Sequence, residues 1–89
     1  MEGVILINKP VSVAVVFTKN GDINTLCLPK KMQYGAKEIE FTELGLRHPT
    51  KKGKRMVHVF DMSDGVNDYR LEFDAERLTW LLVSMIPGA

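Results

Sequence analysis

The chain has 89 residues, 45% of them hydrophobic and 26% charged, with a formal net charge of +1. The length fits one domain, residues 1–89, and the composition excludes a disordered chain, while the near-neutral balance excludes a strong polyelectrolyte. Its single cysteine, Cys27, excludes an internal disulfide framework and a Cys-rich zinc site, and no apolar run reaches the roughly 20 residues of a membrane span.

The first ten residues, Met1-Glu2-Gly3-Val4-Ile5-Leu6-Ile7-Asn8-Lys9-Pro10, lack the basic leading region of a secretory signal. Their short apolar run reads as a first strand that Lys9-Pro10 ends. With one free thiol and no export signal, a reducing cytoplasm is the expected location.

Four prolines and seven glycines then punctuate the chain at intervals typical of all-β domains. Residues 11–18 alternate Val11, Val13, Val15 and Phe17 against Ser12, Ala14, Val16 and Thr18, a β-branched strand. Lys19-Asn20-Gly21-Asp22 carries the Asn-Gly hairpin signal. A return strand over 23–28 should end at Pro29, which has no N–H for a ladder. Residues 31–34 form a short strand turned by Gly35-Ala36. Residues 37–46 alternate again through Ile39 and Phe41. Residues 47–55 read as a polar, basic loop. Residues 56–62 form a strand, Ser63-Asp64-Gly65 a second hairpin turn, and 69–74 alternate Tyr69, Leu71 and Phe73 against Arg70, Glu72 and Asp74.

Residues 75–86 admit two readings. Asp74 caps a short C-terminal helix with Leu78, Leu81, Leu82 and Met85 at helical spacing, or the stretch is a strand with Trp80 and Leu82 on one face.

Three features together resemble a small, uncharacterised bacterial all-β family. They are Phe17-x3-Gly21-x-Ile23, the long charged loop between two central strands, and Tyr69-Arg70-Leu71-x-Phe73-Asp74 followed by Trp80. The resemblance spans roughly residues 11–85 and implies a compact barrel or sandwich whose last hairpin carries the tryptophan. It brings no catalytic residue and no function.

The expected fold is therefore all-β: a small barrel or two-sheet sandwich of about five to seven mostly antiparallel strands. Its core would hold Val13, Val15, Phe17, Ile23, Leu26, Ile39, Phe41, Val57, Val59, Leu71, Phe73, Trp80 and Leu82.

No motif points to catalysis. Ser12, Ser63 and Ser84 sit in no nucleophile elbow, and there is no Gly-rich phosphate loop. The acids Glu38, Glu40, Glu43, Asp61, Asp64 and Asp68 read as a solvated strand face and a turn. Cys27, His48 and His58 have no metal-ligand spacing, so no metal or other cofactor is expected. The expected function is a non-enzymatic binding module with a protein partner or self-association. Five methionines fit an adaptable surface or an irregular core, and the apolar terminal strands offer Leu81, Val83 and Met85 to a second copy. The alternative is nucleic-acid binding through Arg47, Lys51, Lys52, Lys54 and Arg55, whose clustered charge suits phosphates.

Overall fold

The computed structural model describes residues 3–19 and 27–88. The described residues form seven strands in chain order: β1 (Ile5–Phe17), β2 (Cys27–Tyr34), β3 (Lys37–Glu40), β4 (Glu43–Lys52), β5 (Arg55–Ser63), β6 (Asp68–Asp74) and β7 (Thr79–Ile86). They form one antiparallel sheet in the order β3-β2-β1-β7-β6-β5-β4. The Asn20-Gly21 turn and the core candidates Ile23 and Leu26 lie outside the described residues.

Topology sets the shape. β3 and β4 lie at opposite edges of the sheet, yet only Phe41 and Thr42 separate them in the chain. Such a sheet must roll until its edges approach. The Phe41 N–H donates to the Lys30 carbonyl of β2 at 2.9 Å, and the Thr42 N–H donates to the Ser63 carbonyl of β5 at 2.8 Å. β3 and β4 do not pair with each other, so the ladder stays open. The expected small barrel or two-sheet sandwich is corrected to one open, curled sheet, while the expected all-β, antiparallel character holds.

The core lies inside the curl. Phe60, Leu71 and Leu82 face one another across β5, β6 and β7 and are at most 1% exposed. Cys27 and Met32 reach the same cluster from β2, which the curl brings round to Phe60 and Met62. Trp80 packs on Phe73 and Phe60 with ring centroids 4.7 and 5.4 Å apart, and Phe41 sits edge-on to Tyr69 at 5.8 Å. Val13, Val15, Ile39 and Phe73 pack against this cluster half-buried. One core expectation is corrected: Phe17 is 69% exposed. Val57 and Val59 are buried as expected, on the other face of the sheet beside Glu72 and Asp74 of β6.

Several boundaries also change. Lys9-Pro10 does not end a strand. β1 runs through it, with a bulge at Ile7 and Asn8, and Asn8 takes a φ of 53° that asparagine tolerates. Pro29 sits inside β2 opposite Val15, where the register shifts, and a bulge is one of the few sheet positions open to proline. The single strand expected over 37–46 is split at Phe41. The loop expected over 47–55 is the end of β4, a two-residue turn at Gly53 and Lys54, and the start of β5; Gly53 has a φ of 63°, which glycine adopts without strain. The helical reading of 75–86 is corrected to strand. Asp74 does cap its chain, accepting the N–H groups of Glu76 and Arg77 at 3.0 and 3.2 Å, but the cap closes a four-residue turn and β7 follows.

Candidate functional site

A groove of about 680 Å³ crosses the face of the sheet opposite the core. Cross-strand pairs place its floor: Asp61 of β5 opposes Arg70 of β6, and Arg70 opposes Ser84 of β7. One step further along the strands, Ser63, Asp68 and Ile86 share that face. Glu43 and Gly45 of β4 close one side, and Val4 closes the other.

Bulges shape this concavity. The register slips between Leu44 and Leu46 in β4, at Val83 in β7, and between Leu6 and Lys9 in β1. All three lie at the level of the Asp61–Arg70–Ser84 row. A bulge bends its strand and raises the local twist, so three at one level dish the sheet. Gly45 is the extra residue of β4. A Cβ there would lie 3.2 Å from the Asp61 carbonyl, closer than side chains ordinarily approach backbone.

Charge is set by four side chains, the carboxylates of Glu43, Asp61 and Asp68 and the guanidinium of Arg70. Arg70 Nε and Nη2 donate to the two oxygens of Asp61 at 2.8 and 3.1 Å, a fork-to-fork pair that fixes both side chains. That bond, with the Asp61 charge, pushes the Arg70 pKa up. The remaining acids leave the groove net negative. Its rim is apolar, with Val4 and Ile86 exposed at 56% and 41%, and Leu6 and Leu46 exposed on the same face. Among the described residues, neither groove serine, Ser63 nor Ser84, is hydrogen-bonded to a histidine or carboxylate.

Below the groove, Asp64 organises the β5–β6 turn. It accepts the N–H groups of Val66 and Asn67 at 2.8 and 2.7 Å and the Tyr69 hydroxyl at 3.0 Å. Burial acts to raise its pKa, but these donors outweigh burial and hold the carboxyl below its usual range. Burial pushes the Tyr69 phenol up.

The five cations of residues 47–55 do not share one surface. Arg47 turns to the core face, its guanidinium 5.6 Å from the Phe60 ring centroid and Nη2 3.3 Å from His58 Nδ1. Lys52 pairs with Glu72 at 2.8 Å, and Arg55 pairs with Asp74. Lys51 and Lys54 are exposed at the hairpin tip and make no ion pair among the described residues. Leu81, Val83 and Met85 stand half-buried on β7, between β1 and β6 rather than at an edge. Cys27 and His58 face the core, and His48 the other side. Burial pushes the Cys27 thiol up, against a smaller downward pull from Arg47. Among the described residues no three His, Cys, Asp or Glu side chains gather as a metal site.

The groove was not singled out from sequence, yet part of it follows from counting. A turn at Ser63-Asp64-Gly65 sets Asp61 opposite Arg70. The bulges that make the row concave carry no such signal. Compared with protein-family models, curated proteins and solved structures, the chain matches none.

Proposed function

We propose that this protein is a non-catalytic interaction module that holds a basic, partly apolar segment of a partner protein in the groove. The observation that carries this reading is the lining: three carboxylates against one guanidinium, with exposed Val4 and Ile86 beside them and exposed Leu6 and Leu46 on the same face. Cationic side chains meet Glu43 and Asp68, and neighbouring apolar side chains cover the rim. Asp61 and Arg70 satisfy each other and form a rigid floor that needs no reordering on binding. The volume is that of an ordinary ligand pocket.

Fluorescence anisotropy with a labelled peptide of alternating lysine and leucine tests this. Binding should fall roughly two- to fivefold for each charge removed in Glu43→Gln and Asp68→Asn, the weight of an exposed ion pair. It should weaken with salt, and an alternating glutamate–leucine peptide should not bind. Equal affinity in parent and double variant, or no binding of the basic peptide, removes the reading.

A further inference from the structure

The end of the sheet far from the groove has a different chemistry. Antiparallel order brings the end of β1, the β4–β5 tip and the β6–β7 turn to this one end. Each carries an apolar side chain in solvent: Phe17 is 69% exposed, Met56 48% and Leu78 75%. Two of them lie beside exposed cations, Lys51 and Lys54 near Met56, and Arg77 next to Leu78. The only acid exposed on these two tips is Glu76, because Asp74 is buried and Glu72 is paired with Lys52.

Leu78 adds a second observation. Its φ is 57°, a left-handed conformation that strains any residue with a Cβ and ordinarily falls to glycine or asparagine. The Asp74 carboxylate locks the preceding turn through the Glu76 and Arg77 N–H groups, so the backbone holds Leu78 out in water. Neither packing nor turn geometry accounts for leucine there. A backbone outlier with an exposed apolar side chain points to a contact outside the molecule.

We propose that this end docks on an anionic lipid surface. Phe17, Met56 and Leu78 enter the headgroup layer, and Lys51, Lys54 and Arg77 lie against the lipid phosphates. Separated apolar tips among cations match an interface that is apolar within and negative at its surface. A nucleic acid fits less well. Single strands need aromatic platforms for their bases, and this end offers Phe17 alone, its other two apolar groups being aliphatic. The site is independent of the groove, so failure of either proposal leaves the other standing.

The test is cosedimentation with phosphatidylcholine vesicles made with and without phosphatidylserine, alongside a single-stranded oligonucleotide titration. The protein should partition onto the phosphatidylserine vesicles, and salt should release it. Lys51→Ser and Lys54→Ser should each weaken partitioning roughly fivefold. Leu78→Gly is the decisive variant. It relieves the backbone, so its Tm should equal or exceed the parent's, while its partitioning should fall about tenfold or more. Equal partitioning of Leu78→Gly and parent overturns the proposal. So does no preference for the anionic vesicles, or oligonucleotide binding that the lysine variants abolish and Leu78→Gly leaves intact.

Discussion

His58 is held where a proton is unwelcome. It stands on β5 opposite Phe73, and Arg47 Nη2 lies 3.3 Å from its Nδ1. Arginine can only donate, so Nδ1 accepts and the neutral ring carries its proton on Nε2. Burial first, and the Arg47 charge second, lower the His58 pKa from 6.5. The unfolded chain therefore takes up a proton at a pH where the folded chain does not. Stability is full above about 6.5 and is lost as pH falls from there through the lower folded value. The carboxylates held low, Asp64 and Asp74, add their own loss only in the acid range below the ordinary carboxyl pKa of 3.8. Urea midpoints between pH 7 and 5 should fall for the parent and stay flat for His58→Phe. An unchanged slope in that variant would place the titration elsewhere. The alternation of 56–62 was legible in sequence, but its inward side was not. Val57 and Val59 are buried, as their apolar character suggests, but Phe60 and Met62 point to the main cluster and take His58 with them. Two apolar faces on one strand leave that choice to tertiary packing.

At the scale of elements, β4 explains why residues 47–55 read as a loop. Pro49 and the lysines are turn-like signals, but they also mark an edge strand. Among the described residues β4 is an edge, paired only with β5 from Glu43↔Ser63 to Lys52↔Arg55. A proline costs least where the ladder is one-sided, and lysines discourage a second chain from pairing. Replacing Pro49 and Lys51 together with valine should leave the fold within about 1 kcal/mol of the parent, since both are exposed. It should also make the protein associate edge to edge. Light scattering over days should rise for the double variant, and a variant as monomeric as the parent would show that the edge needs no guard. The converse misreading is the split at Phe41 and Thr42. The alternation of 37–46 hides it, because neither glycine nor proline marks the break. Asp74 sent a true capping signal whose scale was wrong. Local chemistry announces that a chain is capped, and the β-branched and aromatic residues after it, Thr79, Trp80 and Val83, decide that a strand follows.

For the whole molecule, strand order is the property least open to sequence reading, because turn chemistry speaks only of neighbours in the chain. β1 pairs with β7, and the two edges are consecutive in sequence. Phe41 is where this non-local order closes. It is 9% exposed, its ring meets Tyr69 of β6, and its N–H is bound to Lys30 of β2, while the adjoining Thr42 binds Ser63 of β5. Removing the ring takes packing from the inside of the curl at the point where both edges are tied. Phe41→Ala should cost about 3–5 kcal/mol, a large share of the 5–15 kcal/mol typical of a domain. Its pattern matters more than its size. If the curl is one cooperative unit, amide protection should fall together in β2 and β5, which three strands separate in the ladder. Ile39→Ala, at the half-buried edge strand β3, should cost less and loosen only β3 and its partner β2. Hydrogen exchange on the two variants decides it. Loss confined to β3 in Phe41→Ala would mean that β4, β5 and β6 hold as a separate sheet, and that the connection at Phe41 carries the chain across without coupling its two ends.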